Sequence, residues 1–443
     1  MTATVVFVNV MVCSLLLVRG GMSKARARGL VPMARDLSVP SASPAEHFGP
    51  TVTPKAHGRP VAFPGANGPG AEDRYTRDVR VLVIGAGVVG CAVAHALTRR
   101  GVSVDLVDMR GPACGSTQAA AGVLAPWIEA HSGGLLELGE TSLRRYDAFI
   151  ARLREDSPLD VEYQRTGTLE VALSTAQEAV LRADAERHEA RGVPHRWLDR
   201  AAVLSMEPGV GSEARAGLLL SEQGFVRARD LTLALADAAE RAGAAIYAGV
   251  RVEAVQAGAD GITARCGSRV FEADFAVLAA GSWSGQDEFT PTAATPVKPV
   301  RGQLLHLRAA TPLASRVVWG TDCYLVPWSD GSLLVGGTVE QVGFDERPTE
   351  DGAQGLRRAA AELLPATAHA DLQEVRVGLR PGTPDGVPVI GRAAASPRVI
   401  FATGHYRNGV LLAPLTADLV AGLIVDGHEA PELALTAPAR FGL

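Results

Sequence analysis

The pattern of apolar and polar positions changes abruptly at residue 79. Before it, residues 5–18 form one uncharged apolar run, interrupted by Asn9 and shorter than the roughly 20 residues a membrane helix needs. The first basic residue, Arg19, follows this run instead of preceding it, which argues against a secretory signal. From residue 22 to residue 78, Pro, Gly, Ala and Ser dominate with scattered Arg, and no period of 2 or 3.6 is sustained. The expectation for residues 1–76 is a disordered extension or a start codon assigned too far upstream.

Order begins with residues 79–84, a β-run that flows directly into Gly85-Ala86-Gly87-Val88-Val89-Gly90. Residues 91–100 read as a helix, apolar at Cys91, Val93, Ala94 and Leu97 and stopped by Gly101. A second strand over residues 102–107 ends at Asp108. Further along, strand-like runs occupy residues 168–173, 250–255, 275–280, 303–307, 324–327 and 333–337, with a helix over 175–191 and a strand-to-helix turn from residue 399. Strands alternating with helices predict an α/β fold. A length of 443 residues admits two or three domains at roughly 100–200 residues each.

Strand, glycines, helix, strand and acid in that order form a dinucleotide fingerprint. Gly85 suits the tight turn, Gly87 lets backbone approach a pyrophosphate, and Gly90 lets the helix pack close to the strand. Val88 and Val89 complete the loop, and Asp108 is placed to accept hydrogen bonds from a ribose 2′-hydroxyl, favouring FAD or NAD over NADP. The small-residue stretch after the second strand, with Ser116, Thr117, Ala120, Ala121, Gly122 and Val123, would let a flat, bulky ring approach the backbone.

Composition narrows the field. The chain is 47% hydrophobic and 21% charged with net charge −5, values that exclude global disorder and give no sign of a nucleic-acid or membrane-surface partner. Its five cysteines are scattered without CxxC spacing, so neither a disulfide framework nor a metal site is indicated, and a reducing cytoplasm fits. No GxSxG elbow supports nucleophilic catalysis.

The fingerprint, the small-residue loop and a series of downstream stretches resemble the FAD-dependent D-amino-acid oxidase family, and within it the glycine oxidases of thiamine biosynthesis. Those stretches begin with Ala280-Gly281-Ser282-Trp283-Ser284-Gly285, Pro299-Val300-Arg301-Gly302-Gln303 and Asp322-Cys323-Tyr324-Leu325-Val326-Pro327. They continue with Gly336-Gly337-Thr338-Val339-Glu340, the run from Gly378-Leu379-Arg380-Pro381 to Gly391, and the run from Ala402-Thr403-Gly404-His405 to Pro414.

The resemblance implies a doubly wound, Rossmann-like FAD domain built from residues 77–130, 224–284 and 377–442. An interleaved α+β substrate domain with a mixed sheet would occupy residues 131–223 and 285–376. It implies further FAD contacts at Val252, in the strand expected over 250–255, at Ala280 and Gly281, and at His405, Arg407, Asn408 and Gly409. A helix start there would favour the negative charge of reduced flavin. Arg380 would clamp a substrate carboxylate bidentately, Tyr324 would add a hydroxyl, and backbone around Arg407 would accept from the amine; Arg301 and Arg407 are the alternatives for the clamp. Relatives carry a basic residue where this chain has Trp328, and no cysteine stands near residues 377–381 for covalent attachment, so the FAD is expected to be noncovalent.

The expected activity is oxidation of glycine to iminoacetate, with oxygen reduced to hydrogen peroxide and the imine used for the thiazole of thiamine. Alternatives are a sarcosine or D-amino-acid oxidase or dehydrogenase, or a nonenzymatic flavin-binding regulator. The expected partners are a small amino acid, oxygen, a thiazole synthase and further copies of the chain.

Overall fold

The computed structural model describes residues 79–129, 133–286 and 295–443; the extension expected over residues 1–76 lies outside them. A six-stranded sheet carries the fingerprint. Across it the strands run Val389–Ala393, Ser396–Thr403, Phe275–Leu278, Arg80–Ile84, Ser103–Asp108 and Ala245–Ala248. All neighbours pair in parallel except the first two, which form an antiparallel edge. After the exposed Arg80 this strand is apolar and buried, from Val81 to Ile84, because both its faces are covered. Val81 and Val83 join one apolar cluster, with helices Val88–Thr98, Ala228–Arg241 and Gly409–Ala421, and Leu82 and Ile84 join another, beneath a three-stranded meander.

The helix starts at Val88, inside the glycine loop and three residues earlier than its apolar spacing indicates, because Gly87 already serves as its N-cap. Residues 250–253 do not form the expected strand. Gly249 takes a left-handed turn, φ 73°, and the chain leaves the sheet edge to begin the antiparallel meander with strand Ala254–Ala257. Helix Thr175–Arg191 matches its expected bounds, fixed by a capping box at Ser174 and Gln177 and a left-handed Gly192.

An eight-stranded mixed sheet holds most of the remaining runs, with strand Asp371–Gly382 on one edge and its neighbour Lys298–Arg308 next. Alternation along Lys298–Arg308 divides the sheet's two faces. Leu305 and Leu307 pack with Leu325, Leu333 and Val335, whereas Leu304 lies with Val326, Leu334, Trp319 and Tyr324 on the other face. A domain boundary at residue 377 falls inside strand Asp371–Gly382, which is hydrogen-bonded along its length to Lys298–Arg308. Among the described residues one helical segment is long and apolar enough to cross a membrane, Gly409–Asp426, and it is largely buried in the core beside the fingerprint helix.

Candidate active site

Strand Arg80–Ile84 ends at Gly85, whose φ of 107° and whose closeness to Ala279 leave no room for a side chain: a Cβ would lie 2.4 Å from the Ala279 carbonyl oxygen. The turn delivers the chain to the helix start, where the Val88 N–H donates to Thr117 Oγ1 at 3.1 Å. The Asp108 carboxylate holds this region together by accepting from three backbone N–H groups, Ala86 at 2.8 Å, Arg110 at 2.7 Å and Gly111 at 2.8 Å. A Cβ on Gly87 would meet only Thr117 Oγ1, at 3.5 Å. Beyond it is open space, the cradle a pyrophosphate needs.

That space belongs to a cavity of about 1540 Å³ that includes its open mouth. It runs from the glycine loop to the face of the eight-stranded sheet that carries Leu304 and Tyr324. At the far end Arg380 is half-buried, its guanidinium lying over Gly302, and Nη1 donates to the Thr338 carbonyl at 2.8 Å. A side chain on Gly302 would place Cβ 2.1 Å from Arg380 Nη1, and one on Gly336 would lie 2.3 Å from the Tyr324 ring. Gly337 faces both groups, its Cβ position 3.2 Å from Arg380 Nη2 and 3.6 Å from the Tyr324 hydroxyl. These bare backbone positions bring a guanidinium and a phenol together. Trp319 stacks on the Tyr324 ring with centroids 4.7 Å apart. The strand carrying Arg380 is pinned at the Leu379 carbonyl, which accepts from Ser282 Oγ at 2.7 Å and from Ser116 Oγ.

Next to Arg380 lies a buried polar network. Glu340 accepts from Arg301 Nε at 3.0 Å, from Gln303 Nε2 at 2.7 Å and from Thr338 Oγ1 at 2.5 Å. These partners hold its carboxyl below the usual carboxylate range despite burial. Arg301 also donates to the Arg347 carbonyl at 3.0 Å. It is thus committed to the fold, and the structure removes it as an alternative carboxylate clamp.

Most of the residues singled out from sequence line the cavity: Gly85, Gly87, Val88, Val89, Asp108, Ser116, Thr117, Ala120, Ala121, Gly122, Val123, Val252, Ala280, Gly281, Tyr324, Arg380, His405, Arg407 and Gly409. Two do not. Gly90 serves packing, since its Cβ would lie 1.8 Å from the Gly85 carbonyl oxygen, and Asn408 is the buried N-cap of helix Gly409–Ala421, its Oδ1 without a hydrogen-bond partner among the described residues. Gly122 has a fold role besides its place in the wall, because φ is 73° and a Cβ would strike the Val226 carbonyl at 1.7 Å.

His405 turns its imidazole into the protein toward Thr416, Nε2 to Oγ1 3.0 Å, and burial lowers its pKa to about 4. Trp328 stands apart from the wall, buried with Arg227 over its ring at 3.9 Å and Arg376 at 5.2 Å. Lining residues given no individual role from sequence include Arg110, Trp283, Gly302, Leu304 and Tyr406. Alternation along the strand after residue 298 would have placed Gly302 and Leu304 on one face.

The chain is similar to glycine oxidase from Geobacillus kaustophilus, 34% identical over 80% of this chain and 95% of that one. It is 36% identical to the bifunctional protein ThiO/ThiG of Synechocystis sp., a match covering 82% of this chain and 54% of the relative, so the chain spans about half of that longer protein. Among solved structures, glycine oxidase from Geobacillus kaustophilus aligns with a TM-score of 0.77 at 31% identity, covering 81% of this chain and 98% of the other. The sequence profile of the DAO family, FAD dependent oxidoreductases, matches residues 80–423. The chain belongs to that family, and its cofactor is FAD.

Proposed function

We propose that the chain oxidises glycine with oxygen to iminoacetate and hydrogen peroxide. The observation that carries this reading is the placement of Arg380 and Tyr324 together on a floor of Gly302 and Gly337, in the same cavity as the fingerprint. Glycine offers only a carboxylate and an amine for orientation. The planar guanidinium of Arg380 grips the carboxylate through two N–H groups, and the Tyr324 hydroxyl donates to it. Backbone at Arg407 accepts from the amine, so that Cα is held in one orientation.

The residues present fit FAD: the open cradle at Gly87, the Asp108 carboxylate beside the glycine loop for a ribose, and the small-residue wall Ala120–Ala121–Gly122. The cofactor is bound noncovalently in this reading. When bound, FAD supplies the hydride acceptor and the path of electrons to oxygen. The glycine oxidase relatives and the ThiO/ThiG proteins support both the substrate and a place beside a thiazole synthase that consumes the imine.

Purified protein given glycine, sarcosine and small D-amino acids in turn, with peroxide measured, tests the proposal. Release of peroxide fastest with glycine is expected. Dye reduction without peroxide would identify a dehydrogenase instead, and preference for sarcosine would move the substrate assignment to the N-methylated amino acid.

A further inference from the structure

Residues 341–349 leave the eight-stranded sheet just after Glu340, whose backbone is bridged to Arg301, and lead into helix Glu350–Leu363, before which the segment is tied to the sheet again. Arg301 Nη1 donates to the Arg347 carbonyl at 3.0 Å, and the Thr349 N–H donates to Gln303 Oε1 at 2.8 Å. Its middle reaches the other sheet. Glu346 accepts from Arg110 at both carboxylate oxygens, 2.9 and 2.5 Å, a bidentate grip between side chains about one-third exposed. Arg110 lies two residues beyond Asp108, and its guanidinium also stands 4.7 Å from the centre of the Trp283 ring. Phe344 packs on that ring with centroids 5.7 Å apart and stays 44% exposed.

Arg110 and Trp283 line the cavity, whereas Glu346 and Phe344 close on them from outside. A segment that served only to link strand and helix would have no need to place a carboxylate and a large apolar ring across the cavity rim. We propose that Arg110, Trp283, Phe344 and Glu346 form a clasp that retains the cofactor, joining the two sheets over the adenosine side of the cavity. The proposal rests on the reading that the Asp108 end of the cavity takes the adenosine portion of FAD. A bound dinucleotide leaves from that side only when the Arg110–Glu346 pair opens, so the clasp acts on the rate of release, the quantity that contact changes at a binding site mostly alter.

The test uses purified FAD-loaded protein diluted into FAD-free buffer, with free and bound FAD separated at intervals. Glu346→Gln, which keeps the shape and removes the charge, should speed release about tenfold, equivalent to about 1.4 kcal/mol, and Arg110→Gln should do the same. The double variant should release FAD no faster than the faster single variant, because the two side chains act as one pair. Release from Glu346→Gln within twofold of the unaltered protein overturns the clasp, and so do single effects that simply add. Failure of the unaltered protein to hold FAD would instead overturn the reading of the cavity.

Discussion

At the end of the cavity by the glycine loop the shape is set by backbone, and at the proposed substrate end by side chains carried on strands far apart in the chain. Gly85, Gly87 and Gly90 lie within six residues, and their roles follow from one local turn. Arg380, Tyr324 and Gly302 meet only because strands Asp371–Gly382, Lys298–Arg308, Ser332–Gly336 and Tyr324–Pro327 pair in a fixed register. The glycines of the two ends also differ. A Cβ at Gly85 or Gly90 would strike backbone, which cannot yield, whereas a Cβ at Gly302 would strike the end of the flexible Arg380 side chain. Glycine at the first end therefore protects the fold, and at the second it protects the aim of a functional group.

The largest effect should come from the substrate end. Arg380→Ala should keep FAD and lower kcat/KM on glycine by roughly 30- to 4,000-fold, because breaking a buried charge-assisted pair costs about 2–5 kcal/mol. Gly302→Ala should approach this loss with its FAD content intact, since the guanidinium is pushed off its floor while the backbone stays in place. Steady-state kinetics with a flavin absorbance spectrum check both. If Gly302→Ala oxidised glycine within about threefold of the unaltered protein, a change of less than about 1 kcal/mol, the clamp would lie elsewhere.

At the nucleotide end two glycines should separate binding from folding. Gly87→Val has space in the protein itself, so it should yield folded but colourless protein. Gly85→Ala forces a side chain into a left-handed turn against a carbonyl and should lower the melting temperature as well, by the equivalent of about 1–3 kcal/mol. Equal FAD occupancy in Gly87→Val and the unaltered protein would show that the phosphate contact is misplaced.

A pH-dependent effect should arise at His405, which lines the cavity. Its folded pKa of about 4 lies below the ordinary histidine value of 6.5, so the unfolded chain binds more protons between those limits. Its contribution is fully present above pH 6.5 and is lost progressively as the pH falls toward 4, by on the order of 3 kcal/mol in all. Denaturant unfolding across this range should show stability rising with pH, and His405→Gln should flatten the slope. An unchanged slope would mean that other groups govern the acid response.

Much of the nucleotide end was legible before any coordinates, because a glycine-rich turn between a strand and a helix is a local object whose stereochemistry is written in consecutive residues. The Asp108 position and the bounds of helix Thr175–Arg191 were readable for the same reason. Residues 250–253 show the limit: an alternating valine run looks like a strand, yet the chain had to leave the sheet edge there to start an antiparallel meander. The expected role of Arg301 shows another, since a lone arginine in a sequence gives no sign of the carboxylate that Glu340 brings to it from 39 residues away.

The sequence by itself determined where the dinucleotide loop forms, which acid follows it, and the strand and helix on either side of it, since propensity, periodicity and glycine stereochemistry act over short stretches. Only the tertiary structure decided that Arg380 rests on Gly302 beside Tyr324, that Arg301 is spent on Glu340, that Gly90 and Asn408 stand back from the cavity wall, and that Arg110 reaches Glu346 across its rim. Those relations depend on sheet register and on chain segments up to 236 residues apart, and no local pattern encodes which distant side chain will arrive at a given backbone position.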